Sequence, residues 1–271
     1  MKKTIYLFAI SLLFISCEDV IEVSLPNTPP RLVIDASINW FKETTGQYQS
    51  IRLSLTAPYF NNQVPPANHA NVKIIDSNNR IFTFIEEDDT GIYRNHNFNP
   101  VLNETYTLSI IYNEEVYTAT EVLTPVTSID FVDQKNNGGF SGNDIELKAY
   151  YMDPPNQKNF YLFEFDNSNL PIISLNIYND EFNDGNQIFA FYSEEASKTG
   201  DLITINSYGI SERYYQFMSI LLQQTDSESG DPFETQPATV RGNCINETNP
   251  DNYPLGYFRL SESDQFIYTI E

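Results

Sequence analysis

The chain has 271 residues, 37 of them acidic against 15 basic, for a formal net charge of −22. That balance excludes nucleic-acid binding, which needs clustered Lys and Arg. It also excludes electrostatic adhesion to anionic lipid headgroups. The length suffices for two ordinary domains or one large β structure with a real core, so no disulfide or metal staple is required.

In chain order, residues 1–16 read as a signal peptide: Lys2 and Lys3 form a positive start, Ile5 to Ile15 an apolar run, and Ser16 a small residue before Cys17. The apolar run is too short to span a bilayer, which takes about 20 residues. Serine followed by a retained cysteine resembles the lipobox of bacterial lipoproteins, although Phe14 stands where leucine is commonest. The resemblance implies acylation of Cys17, which becomes the mature N-terminus, and more than one acyl chain makes anchoring effectively permanent. Residues 17–30 are then an anchor and tether, ending in Pro26, Pro29 and Pro30 and reaching up to about 40 Å at ~3.1 Å per residue. Glu18 and Asp19, directly after the cysteine, resemble the export signal that carries Bacteroidota lipoproteins to the outer face of the outer membrane.

Residues 31–126 alternate short β-rich runs with turn residues. Strands are predicted at Leu32 to Ile38, Ser50 to Thr56, Asn71 to Asp76, Ile81 to Glu86, Gly91 to Arg94, Thr105 to Ile111 and Val116 to Leu123. Seven short strands in about 95 residues predict an immunoglobulin-like β-sandwich without the disulfide of antibody domains. Residues 127–271 predict a second β-rich domain, with strands at Ile129 to Asp133, Asp144 to Met152, Phe160 to Asp166, Ile172 to Ile177, Gln187 to Tyr192, Leu202 to Ser207, Leu255 to Leu260 and Phe266 to Ile270. A Gly- and Asn-rich loop is expected from Gln134 to Asp144. Phe160 to Phe165 carries apolar side chains on both faces, as a strand covered on both sides requires. The period changes once, at 211–225, where Tyr214, Phe217, Met218, Leu221 and Leu222 recur at helical spacing. The fold class is therefore mainly β, with one amphipathic helix.

The residues that carry chemistry are sparse. Gly139-Phe140-Ser141-Gly142-Asn143 lacks the last glycine of a nucleophile elbow and has no helix after it. His69 and His96 stand in no ligand-spaced motif. No phosphate-cradling or dinucleotide loop is present. No catalytic residue, cofactor or metal site is assigned. Two acidic loops have the oxygen chemistry of a calcium site: Glu86 to Asp89 and Asp180 to Asn186. In the second, Asp180, Asn183, Asp184 and Asn186 are the oxygen donors, but Phe182 takes the third place, where an EF-hand has a ligand. Cys244 reads as a small buried hydrophobe rather than a nucleophile. The aromatic residues read chiefly as core, and Tyr59 and Phe60, beside a Pro- and Asn-rich loop, are the best candidates for exposed ligand or partner contacts.

Serine-cysteine followed by acids, Arg31-Leu32-Val33-Ile34, Tyr214-Tyr215 on the helix, Asp231-Pro232-Phe233, Pro237, Gly242-Asn243 and Leu255-Gly256-Tyr257-Phe258 together resemble a Bacteroidota outer-membrane lipoprotein family. That family carries a domain of unknown function and is commonly encoded beside TonB-dependent receptors. Cys244 departs from it, following Gly242-Asn243 where an aliphatic residue is expected. The resemblance implies a non-enzymatic lipoprotein, anchored to the outer membrane and facing the exterior, that caps or accompanies a TonB-dependent β-barrel importer. It supplies no catalytic residues. The competing expectations are a stand-alone surface binder of glycan or peptide, and a carboxylate-based hydrolase.

Overall fold

The computed structural model describes residues 29–58, 63–139, 142–225 and 240–271. Cys17, Glu18, Asp19, Tyr59, Phe60, Asp231, Pro232, Phe233 and Pro237 lie outside the described residues. The fold is mainly β, an immunoglobulin-like sandwich continued by a second β-rich half.

The first half contains β1 (Leu32–Phe41), β2 (Gln49–Leu55), β3 (Asn71–Asp76), β4 (Ile81–Glu86), β5 (Ile92–Asn95), β6 (Thr105–Tyr112) and β7 (Glu115–Val122). Period-two patterning sets its faces: Leu32, Ile34, Ala36 and Ile38 of β1 and Tyr106, Leu108 and Ile110 of β6 all point into one core. Each large side chain buried there contributes about 1.5–3 kcal/mol. β4 closes the sandwich by changing partners. Ile81 to Phe84 pair with β3, whereas Ile85 and Glu86 pair with β5. One hydrogen-bonded sheet thereby folds over itself around a shared core.

The second half contains β8 (Ile129–Gly138), β9 (Asp144–Met152), β10 (Phe160–Asn167), β11 (Ser174–Asn179), β12 (Gln187–Glu194) and β13 (Leu202–Gly209). Helix α1 (Glu212–Thr225), β14 (Ile245–Asn246) and β15 (Leu255–Thr269) follow. β12, β9 and β8 form a three-stranded sheet that packs on β10, β13 and β15 through Tyr151, Phe163, Phe165, Tyr192 and Ile205. On the opposite face of β10, α1 lays Tyr214 and Met218 against Leu162, Tyr208 and Tyr257. β10 is thus covered on both sides, as its composition predicts. Ser211 starts the helix, its Oγ accepting from the Tyr214 N–H at 3.2 Å.

Three expectations are corrected. The two predicted closing strands are one, because Ser261 and Ser263 sit fully buried at its centre and the Ser261 hydroxyl donates to the Gly209 carbonyl at 2.6 Å. Small hydroxyl side chains with buried partners continue a strand where solvated ones would end it. The predicted loop after Asp133 continues as β8 to Gly138, paired with β9. The two cores divide at the predicted boundary near residue 126, but the C-terminal segment returns across it. β15 runs parallel to β1 through its first half, from Leu255 to Ser263, and antiparallel to β13 through its second, from Ser263 to Thr269. Phe258, Leu260 and Cys244 belong to the first core, and β14 adds to β7.

The connection between the halves is held by its backbone. Thr124 donates to Leu260 at 3.2 Å and accepts from Glu262 at 2.8 Å. The carboxylates of Glu262 and Asp264 accept from the N–H groups of Val126 at 2.9 Å and Ile129 at 2.8 Å. Gly209 lies so close to the Pro125 carbonyl that no side chain fits there.

Candidate functional site

β9 and β11, on opposite sheets of the second half, are each followed directly by an aspartate. Asp153 follows β9 and Asp180 follows β11, and the 180–186 turn adds Asp184. One carboxylate oxygen from each of the three lies within 4.8 Å of those from the other two. Asp153 is 0% and Asp180 5% exposed, while Asp184 faces solvent.

Local backbone bonds explain the convergence. The Asn183 N–H donates to the Asp180 carbonyl at 2.8 Å and the Asn186 N–H to the Asn183 carbonyl at 2.9 Å, coiling the turn. The Asp153 N–H donates to the Asn186 carbonyl at 3.0 Å, which ties the two loops together. Each carboxylate accepts neutral donors: Asp153 from the Tyr161 hydroxyl at 2.6 Å and the Gly185 N–H at 3.1 Å, Asp180 from the Asn159 N–H at 2.8 Å, and Asp184 from the Asn156 N–H at 2.8 Å. Among the described residues, no Lys, Arg or His forms an ion pair with any of the three. Two unit charges at 4.8 Å repel by about 3.5 kcal/mol at an effective dielectric of about 20, and buried carboxylates are ordinarily paired or coordinated to metal.

Two oxygens beside the cluster have no hydrogen-bond partner: the Tyr151 hydroxyl, on a side chain 0% exposed, and the Asn159 Oδ1. Burial pushes the Tyr151 hydroxyl's pKa up strongly, and the nearby Tyr178, Asp153 and Asp180 add to the effect. Tyr161 is likewise raised, first by burial and then by its bond to Asp153. Asp180 and Asp184 open onto a pocket of about 680 Å³ whose other walls include Phe160, Asn179, Lys158 and, from the first turn of α1, Glu212 and Tyr215.

Of the four donors the sequence proposes in this turn, only Asp180 and Asp184 converge. Asn183 and Asn186 are exposed and spend backbone groups holding the turn, and Phe182 points away at 86% exposure. Asp153 was missed because it comes from another loop, 27 residues earlier in the chain.

The other acidic loop also gathers a triad. His69, with φ of +64°, stands beside Glu86 and Asp89, its Nδ1 3.8 Å from each carboxylate, and its N–H donates to Glu86 at 2.7 Å. His69 and Asp89 are exposed. His96 packs edge-on to Tyr48 at 5.4 Å. Cys244 is buried as the sequence predicts, and burial pushes its thiol's pKa up to about 12. The Gly-Asn and Gly-Tyr-Phe motifs form a structural lock. The Asn243 side chain donates to the Phe258 carbonyl at 2.7 Å and accepts the Phe258 N–H at 2.9 Å. Gly242 touches the Gly256 carbonyl too closely for any side chain, and Gly256 takes φ of +89°.

The outer face of the three-stranded sheet carries a feature that the sequence reading assigned to core. Phe131, Tyr150 and Phe189 occupy directly opposed positions on β8, β9 and β12. Their rings stand 4.7 Å and 5.3 Å apart, the first pair stacked. Phe131, Phe189, Phe191 and Met152 are all more than a third exposed. The signal for this lies in β12, where Phe189 and Phe191 alternate with Ala190 and Tyr192: both faces are apolar, and the small Ala190 faces inward.

Residues 18–267 match a family model described as a domain of unknown function, DUF4249. The chain belongs to this family. No curated protein gives a significant match. Among solved structures, a two-domain fibronectin type III segment of chicken tenascin is 12% identical, with 66% of this chain and 90% of that one covered at a TM-score of 0.22. A DUF4785 family protein of Legionella pneumophila is 9% identical, with 66% of this chain and 52% of that one covered at a TM-score of 0.28, so this DUF4249 chain spans about half its length. No helix among the described residues is long and apolar enough to cross a membrane.

Proposed function

We propose that this DUF4249 protein is a non-enzymatic lipoprotein, anchored through Cys17 to the outer face of a Bacteroidota outer membrane, that serves as an accessory or capping subunit of a TonB-dependent β-barrel receptor. The observation that carries the docking role is the exposed ladder of Phe131, Tyr150 and Phe189, flanked by Phe191 and Met152. Contiguous apolar surface of this kind marks interaction sites, and aromatic residues and Met are enriched in interface cores. The signal, Cys17 and the acids Glu18 and Asp19 support the location. Purification of the tagged protein from membranes in mild detergent is expected to recover a large β-barrel protein, and a Phe131→Ser/Phe189→Ser variant is expected to lose it while remaining folded. Recovery of the protein alone across several detergents refutes the assignment.

The same ladder favours a second reading, a surface binder of glycan or peptide, because a stacked aromatic face also fits a sugar ring. Saturable quenching of tyrosine fluorescence by glycans, with no barrel present, distinguishes this reading from docking.

A further inference from the structure

Asp153, Asp180 and Asp184 bring three carboxylates from two loops to one point between the sheets, and two are buried without a cation. Acidic clusters on protein surfaces are common. This one differs in that the fully buried Tyr151, whose ring packs at 4.9 Å on the Tyr161 that bonds Asp153, has a hydroxyl with no hydrogen-bond partner, and neither has the Oδ1 of Asn159, the residue whose N–H bonds Asp180. We propose that the three aspartates bind a calcium ion, with the Asn159 side-chain oxygen as a fourth protein ligand and water from the pocket completing the shell.

The chemistry selects the ion. All the donors are oxygens, which suits a hard cation rather than zinc or copper. They come from two irregular loops and mix carboxylates with an amide, an arrangement that the flexible six- to eight-fold shell of calcium accepts and the strict octahedron of magnesium does not. In the occupied site the Tyr151 hydroxyl donates to an ion-bound water. Asp153 belongs to the connection leaving the three-stranded sheet and Asp180 to the connection leaving the larger one, so the ion pins the two sheets of the second half together beside the first turn of α1. Affinity is expected in the range of extracellular calcium modules, with Kd on the order of 10⁻⁴ M.

The test uses the full chain in a non-ionic detergent, freed of metal with EDTA, and titrates it with calcium by calorimetry and with terbium by luminescence. Terbium is excited through neighbouring tyrosines, so Tyr151 and Tyr161 report on this location. One calcium per chain, terbium emission displaced by calcium, and a calcium-dependent rise in melting temperature are expected. Asp184→Asn, at an exposed position, is expected to melt as the parent does without calcium and to bind calcium about tenfold or more weakly. Glu195→Gln, a remote exposed acid, is expected to leave the titration unchanged. Absence of saturable calcium uptake at millimolar concentration overturns the proposal. So does uptake that Asp184→Asn and Asp180→Asn leave at parental affinity, which assigns the binding to diffuse negative charge.

Discussion

Replacing Asn243 by Ala tests whether one side chain stands in for a missing strand. Along its first half, β15 pairs with one strand, β1, and its other edge meets only the isolated bridge at Thr124. At Phe258 the other edge meets no strand, and the Asn243 amide donates to its carbonyl at 2.7 Å and accepts from its N–H at 2.9 Å. Asn243 is 4% and Phe258 0% exposed, so water does not replace the lost groups. Leaving two buried backbone groups unpaired costs about 1–3 kcal/mol each, and thus roughly 2–6 kcal/mol in all. That is a large share of a total stability of about 5–15 kcal/mol. At about 2–4 °C per kcal/mol for a chain of this size, the melting temperature is expected to fall by roughly 4–24 °C. Asn243→Asp separates the polar pairing from simple packing. Its carboxylate still accepts from the Phe258 N–H but turns a second oxygen toward the carbonyl, which raises the folded pKa. Relative to the parent, the variant is therefore expected to lose stability as pH rises past about 3.9, the unfolded value, to be least stable above the raised folded value, and to recover as acidification restores a donor. A loss below about 1 kcal/mol for Asn243→Ala, or no pH dependence for Asn243→Asp, refutes the strand-substitute reasoning.

In the Cys17→Ser variant, which is expected to appear in the soluble fraction with its melting unchanged, Cys244 should resist thiol reagents at pH 8 and react once urea unfolds the chain. Fast labelling of the native protein contradicts the raised thiol pKa. Glu115 accepts from the Tyr117 hydroxyl at 2.6 Å and from Asn252, Asn249 and Asn246, and these bonds hold its carboxyl below the usual range. Its contribution is therefore present above about pH 4.3, the unfolded value, and lost as pH falls through the lower folded value. Urea midpoints measured from pH 6 to pH 2.5 should decline less steeply in Glu115→Gln than in the parent. Ser211→Ala removes the cap of α1 and should cost about 1 kcal/mol, with equal melting of variant and parent as the contrary result.

How much of this was legible follows from the range of the interactions. β3, β4 and β9 have the predicted boundaries because alternating side chains and turn residues are local signals, and the helical spacing of Tyr214, Phe217, Met218, Leu221 and Leu222 marked α1. The bonds joining the chain's ends were not local. Nothing near Leu255 announces Val33 as its neighbour, and Ser261 to Asp264 reads as a polar break until the buried partners of Ser261 are known. The candidate cation site was half visible for the same reason: the 180–186 turn advertised Asp180 and Asp184, while Asp153 arrives through the pairing of two sheets. The aromatic ladder was hidden by composition, since a strand with apolar residues on both sides looks like core until it is known which side is covered.

The continuity of β15 decides how the two halves act. A strand of 15 residues spans about 50 Å at ~3.3 Å per residue. A hinge between the halves would have to break it near Ser263 and detach Thr124 from Leu260 and Glu262. The chain reaches this spine at Arg31, whose guanidinium stacks on Tyr253 at 3.9 Å with Arg241 on the same ring at 3.8 Å. Arg31 also donates to the carbonyls of Asp251 at 3.0 Å and Tyr253 at 3.2 Å. The start of the body is therefore clamped to the residues that lead into β15, while the aromatic ladder and the aspartate cluster lie in the other half. The ladder is therefore held at a distance from this clamp set by a continuous β-strand.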